Sequence, residues 1–172
     1  LLEHRNDQES EEFHKNLISD FFKNTAFTGY FINTKGRNDL VIHNGKIAKD
    51  SVGVIIEVKK LSNKTEMLST KNINSKALQE LVLYYLRERI THKNLDVKQL
   101  IATNFYEWFI FDAAIFEKCF AQNSKLVKQF TDFEEKRLAV KTTDGFYKEI
   151  AKPAIDSAIE ELVFTHFTMK DY

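Results

Sequence analysis

Two runs of mostly β-branched apolar residues, at positions 39–43 and 52–59, constrain the fold of this chain more than any other feature. An Asn-Gly turn signal and a short polar loop separate them, which predicts two antiparallel strands. The first run begins with Asp39, and the second ends with Glu57 and Lys59 on either side of a valine. Because side chains two apart on a strand project from the same face, this acid and this base are predicted to be neighbours at the end of a buried strand.

The register of these strands decides whether Asp39 meets Glu57. In an antiparallel pair joined by that loop, the numbers of opposed residues add to about 95 or 96, a condition that Asp39 and Glu57 satisfy. Opposed residues lie about 5 Å apart on one face, whereas a slip of one residue would separate the two carboxylates. Two adjacent carboxylates form the oxygen-only site that Mg²⁺ prefers. Lys59 would then lie within reach of an attacking water and of a phosphate transition state.

The charge and composition of the chain indicate how strongly it could bind nucleic acid and in which compartment it would act. The chain has 25 basic and 25 acidic residues, whereas a self-sufficient duplex-DNA binder is usually basic. We therefore expect the grip on nucleic acid to be weak or supplied by a partner. The single cysteine, Cys119, is expected to be a small buried residue, and no apolar run reaches the length of a membrane span, which favours a cytoplasmic protein.

The order of elements predicts an α/β domain with a mixed β-sheet of about five strands flanked by helices. Besides the two strands above, the patterns predict a strand at 27–33 and a hairpin at 97–111. Helices are predicted at 10–23, at 77–90 after a long polar loop, and over most of the chain beyond about 113.

Asp39, a spacer and Glu57-x-Lys59 resemble the signature of the PD-(D/E)xK nuclease superfamily, with Asn38 where that family often has proline. Three further stretches are similar to the N-terminal nuclease region of type IIG restriction-modification enzymes. These stretches are residues 11–16, 77–85 and 108–112. In such enzymes one polypeptide carries nuclease, adenine-N6 methyltransferase and target-recognition parts.

This resemblance implies a restriction-endonuclease-like core and a type II, IIG-like, site-specific deoxyribonuclease that hydrolyses double-stranded DNA. It implies Asp39 and Glu57 as ligands of Mg²⁺, which Mn²⁺ can replace, with the main-chain carbonyl of Val58 as a further ligand and Lys59 as the catalytic lysine. Residues 1–172 would form a single nuclease domain of a longer bacterial, cytoplasmic polypeptide, and the helices from about 113 would connect it to a methyltransferase part. That part, its target-recognition domain and its S-adenosylmethionine would lie outside this chain, which has no methyltransferase motif.

Two positions on the predicted helices are candidates for supporting roles. Glu12, or with less support Glu9, is a candidate for a first-helix carboxylate at the metal, although acids at that place also stabilise the helix dipole. Gln79 is similar to the glutamine of the Q-x-x-x-Y element of some relatives, but Tyr84 lies one residue too far away. Glu80 has the four-residue step to Tyr84, and the sequence does not choose between the two.

Lys60, Lys64 and Lys71 lie in or beside the polar loop that follows the Glu-x-Lys motif and are candidates for DNA contacts, although a solvated loop explains them nearly as well. His43 is a candidate for the rim of the site, with a surface histidine beside a turn as the alternative. Asp112 is expected to cap a helix.

Two other functions stay open. A junction-resolving or repair nuclease would keep the fold and change the substrate. A catalytically silent interaction module would keep the fold alone, with Glu57 and Lys59 as a surface ion pair that contributes about 0–1 kcal/mol.

Overall fold

One six-stranded sheet organises the part of the chain that the computed structural model describes, which is residues 1–36 and 38–170 without the side chains of Asn38 and Asp39. The strands are β1 Ile32–Lys35, β2 Asn38–His43, β3 Val52–Val58, β4 Gln99–Thr103, β5 Glu107–Asp112 and β6 Thr165–Thr168. They lie side by side in chain order, and only the β3–β4 pair is parallel. The predicted α/β class with a mixed sheet is confirmed, and β6 is a strand that the sequence patterns did not predict.

The helices occupy both faces of this sheet. They are α1 Glu11–Asn24, α2 Lys76–Leu86, α3 Ala113–Phe116, α4 Ser124–Glu134, α5 Thr143–Phe146 and α6 Lys152–Ala158. Single π-helical turns continue three of them: Arg87–Thr91 follows α2, Glu117–Ala121 follows α3, and Tyr147–Ala151 joins α5 to α6. Among the helices of the described residues, none is both long and apolar enough to cross a membrane.

Alternation along the strands divides the apolar side chains between two cores. Val41 and Ile55 belong to the core beneath α2, whereas Leu40 and Ile56 belong to the core beneath α1. All seven residues of β3 are buried, because helices cover both faces of this central strand. The helices after position 113 are integral to the first core, and Cys119 is partly buried against it.

Local signals explain where several elements begin. The Ser10 side chain accepts a hydrogen bond from the Phe13 amide at 3.1 Å and so caps α1. Asp112 caps α3 by accepting from the Ala114 amide at 2.8 Å, which confirms the predicted cap. The predicted hairpin is also confirmed, since β4 and β5 pair antiparallel with Thr103 opposite Trp108.

Candidate functional site

The predicted register of the two apolar strands is present in the backbone. Leu40 of β2 lies opposite Ile56 of β3, and Val41 lies opposite Ile55. The next position along the same register is Asp39 across from Glu57. The side chain of Asp39 lies outside the described part of the structure, so the predicted meeting of the two carboxylates stays a prediction.

Glu57 and Lys59 lie at the carboxyl-terminal end of β3, where that strand runs parallel to β4. The Lys59 amide donates to the Thr103 carbonyl at 2.8 Å, so the pairing continues one residue beyond Val58. The two side chains share a face as predicted, and they are only 2% and 5% exposed. The alternative interpretation of a surface ion pair is therefore wrong.

Glu80 of α2 completes a buried ion triad with these two residues. The Lys59 Nζ lies 2.6 Å from Glu57 Oε1 and 2.5 Å from Glu80 Oε2. The helix brings Glu80 here because it packs over β3 and β4, the two strands that it connects. Gln79 faces elsewhere, and its side-chain amide donates to Asn74 Oδ1 at 3.0 Å. The structure therefore places Glu80, and not Gln79, beside Lys59.

The electrostatics of this triad favour a protonated lysine. Burial by itself lowers the pKa of Lys59, but the Glu57 and Glu80 carboxylates outweigh it and raise that pKa above its ordinary value. Two buried carboxylates facing one ammonium leave the triad with one formal negative charge in excess. Glu66 lies 3.8 Å from Lys59 at the more exposed rim and is paired there with Lys76 at 3.3 Å.

Tyr147, in the π-helical turn after α5, lies beside the triad. Burial, followed by the nearby Glu80 and Glu57 carboxylates, raises the pKa of this phenol to about 12. Its hydroxyl shares hydrogen bonds with the side chains of Tyr84 and Thr143. The phenol is therefore a neutral polar group at neutral pH, hydrogen-bonded to one side chain of α2 and one of α5.

The first helix reaches this end of β3 through a different acid from the one predicted. Glu11 Oε2 accepts a hydrogen bond from the Lys60 main-chain amide at 3.1 Å. Glu12 is exposed and pairs with Lys15 on its own helix, and Glu9 accepts from the nearby Asn6 side chain in an exposed position. No motif distinguishes Glu11 from its neighbours, because only the docking of α1 decides which acid faces β3.

The remaining candidates are dispersed. Lys60 is partly exposed, and Lys64 and Lys71 are exposed and line two different cavities. His43 is buried at the opposite end of β2 from Asp39, with its ring nitrogens 2.7 Å from the Asp50 carbonyl oxygen and 2.9 Å from Asn33 Oδ1. The predictions of a rim histidine and of a surface histidine are therefore both wrong.

The donor set of the triad suits a hard cation. Among the described side chains, no three His, Cys, Asp or Glu residues are arranged as a metal site. The carboxylates of Glu57 and Glu80 nevertheless converge on one cation, the Lys59 ammonium. Carboxylate oxygens are the ligands that Mg²⁺ prefers.

Residues 1–172 match the family described as a domain of unknown function, DUF7149, and the chain belongs to that family. No curated protein and no solved structure matches the chain. What the chain does is therefore inferred from the geometry at the ends of β3 and β4.

Proposed function

We propose that this member of the DUF7149 family is the Mg²⁺-dependent nuclease domain of a DNA endonuclease, acting within a restriction-modification enzyme. The observation that carries the proposal is the environment of Lys59. This lysine is buried between two carboxylates at the end of a central strand, two residues beyond Glu57. Burying charged groups costs desolvation free energy, and such clusters are often found at functional sites. The buried triad is therefore a candidate active site.

Each residue has a role that follows from its position. Asp39 and Glu57 would hold the metal ion, with the Val58 carbonyl and Glu80 as further candidate ligands. A bound Mg²⁺ supplies an acidified water and neutralises negative charge on a scissile phosphate. Lys59 would orient the attacking water and donate to a phosphate oxygen, and Glu80 would keep its ammonium in place.

The wider fold supports the same proposal. The strand pair β2–β3 follows α1 and precedes α2, as the resemblance to PD-(D/E)xK nucleases implies, and α2 returns the chain to a strand parallel to β3. The arrangement is compatible with a restriction-endonuclease-like core. The zero net charge fits a domain that depends on other parts of a larger enzyme to aim it at DNA.

Metal binding and cleavage test this proposal together. We expect calorimetric titration with MgCl₂ or MnCl₂ to show binding that is lost in Glu57→Gln, which keeps the size and the oxygen facing Lys59. Nicking of supercoiled plasmid should fall by at least about 10²-fold in Glu57→Gln and Asp39→Asn. Glu66→Gln is the matched control, since it alters a carboxylate at the rim, and should retain activity.

Two results would count against the nuclease. One is metal binding that is unchanged in Glu57→Gln, and the other is plasmid nicking that survives in both Asp39→Asn and Glu57→Gln. Circular dichroism of each variant separates these outcomes from loss of the fold.

A second candidate is a catalytically silent interaction module. The observation in its favour is that Lys59 is ion-paired on both sides, so that the triad is a self-consistent structural unit. A silent module would show no heat of Mg²⁺ or Mn²⁺ binding that depends on Glu57, and no nicking in the wild-type chain.

A further inference from the structure

We infer that a positively charged cavity beside the candidate active site binds the phosphate backbone of duplex DNA. This cavity, the basic cleft, has a volume of about 770 Å³ and lies between the end of β1, the π-helical turn after α2 and the segment that joins α4 to α5. Its cations are Lys35, Arg87, Lys136 and Lys141. The inference rests on the proposed nuclease function and names the surface through which that function would hold its substrate.

Charge distinguishes the basic cleft from the other cavities. Its four lysine and arginine side chains face two acids, Glu88 and Glu134, which leaves two formal positive charges in excess. In three other cavities of the described part, the formal charges cancel. Lys64 and Lys170 face Asp7 and Glu107, Arg89 and Lys98 face Asp112 and Glu117, and Lys71 faces Asp156. A fourth cavity, lined by Trp108 and Phe167, has no charged residue.

Two of the cations hold the wall of the cleft in place. The Lys35 Nζ lies 2.7 Å from Oε1 of the buried Glu88. Arg87 donates two hydrogen bonds to Glu134 Oε1, at 3.1 and 2.8 Å. These pairs neutralise both acids of the cleft and connect β1, α2 and α4 around it.

The other two cations remain available to a ligand. Lys136 and Lys141 are exposed, and neither forms an ion pair among the described residues. The Lys141 Nζ donates to the Lys136 carbonyl at 2.6 Å, which holds the two residues together at the mouth of the cleft. Phosphate binding needs charges of this kind, because those already paired with carboxylates gain less from an anion.

Two links connect the basic cleft to the candidate active site. Gly36 lines the cleft and precedes Asp39 by three residues. Thr143 also lines it and shares a hydrogen bond with Tyr147, whose pKa is raised by burial and by the charges of Glu80 and Glu57. A DNA phosphate bound in the cleft would therefore lie next to the scissile phosphate. Although the net charge of the chain is zero, the excess positive charge of the cleft would face the DNA.

The test measures binding without cleavage. Fluorescence anisotropy of a labelled duplex of about 20 base pairs is recorded in EDTA for the 172-residue chain, over a series of salt concentrations. The test variant is Lys136→Glu with Lys141→Glu. The matched control is Lys46→Glu with Lys49→Glu, two exposed lysines in the β2–β3 loop at the other end of these strands, with the same change in net charge.

We expect the test variant to lose on the order of tenfold or more in affinity at 0.05 M salt, and its log–log salt slope to fall by about two, one for each lost phosphate contact. The control should bind within about twofold of wild type. The milder pair Lys136→Gln with Lys141→Gln should show the same direction, and melting curves confirm that each variant is folded.

Three results would overturn the inference. These are no binding of the duplex by the wild-type chain at 0.05 M salt, an equal loss in the control, and tighter binding of inorganic triphosphate than of duplex. Because the binding is measured in EDTA, it does not depend on catalysis. A wild-type chain that binds the duplex through the cleft but does not nick plasmid would support the cleft and count against the nuclease.

Discussion

Replacing Lys59 by methionine removes the only ammonium from between two buried carboxylates while keeping the length of the side chain. The Lys59 Nζ lies 2.6 Å from Glu57 and 2.5 Å from Glu80. At an effective dielectric constant of about 20, each contact contributes about 6 kcal/mol of gross attraction. Desolvation of the three ions offsets most of this, by several kcal/mol for each ion.

The variant nevertheless loses more than the net value of the triad, because it removes the ammonium that both buried carboxylates contact. We expect Lys59→Met to lower the free energy of unfolding by about 3–5 kcal/mol at neutral pH. For a chain of this size that corresponds to a decrease in Tm of about 6–20 °C.

Urea denaturation followed by circular dichroism measures this loss, and its dependence on pH and metal identifies the cause. In wild type, the raised pKa of Lys59 means that its stabilisation is fully present below the unfolded-state pKa of about 10.4 and is lost only as the pH rises through the higher folded-state value. Millimolar Mg²⁺ should restore part of the stability of the variant, because a divalent cation can take the place of the ammonium.

Lys76→Met is the matched control for this substitution. Lys76 lies 3.3 Å from Glu66 and 3.8 Å from Asp144, but it is about one third exposed, so the loss should stay below about 1 kcal/mol. The reasoning is refuted if Lys59→Met unfolds within about 0.5 kcal/mol of wild type, or if Lys76→Met loses as much stability as Lys59→Met.

Two further substitutions test separate parts of the structure. Tyr147→Phe should reduce the loss of stability at alkaline pH, because burial and the nearby Glu80 and Glu57 raise the pKa of Tyr147 to about 12. The stabilisation from Tyr147 is present below about pH 10 and is lost as the pH rises from about 10 towards 12. Thermal melts across that window should show a smaller decrease in Tm for the variant than for wild type, and parallel curves would contradict the assignment. Asp112→Ala should lower the free energy of unfolding by about 1 kcal/mol in urea, because it removes the cap of α3, and Asp112→Asn, which keeps the accepting oxygen, should restore most of it.

Much of the fold could be predicted because its signals are local. Alternation of apolar residues identified β2 and β3, and the length of their connection predicted the register seen at Leu40 and Ile56. The β4–β5 hairpin and the Asp112 cap follow from patterns a few residues long. Strand β6 was not predicted, because two of its four residues are exposed, the other two are only partly buried, and the strand follows a helical segment. It is stabilised by pairing with β5 rather than by its own composition.

By itself, the sequence determined that Glu57 and Lys59 share one face at the end of a buried strand, because the period of a strand is two residues whatever surrounds it. Only the tertiary structure decided that Glu80 and not Gln79 meets Lys59, that Glu11 and not Glu12 reaches the end of β3, and that four dispersed cations line one cleft. These choices depend on the rotation of a helix about its axis and on contacts between residues far apart in the chain. Adjacent helix positions differ by about 100° in direction, so packing against the sheet, rather than the identity of the residue, selects which acid faces the site.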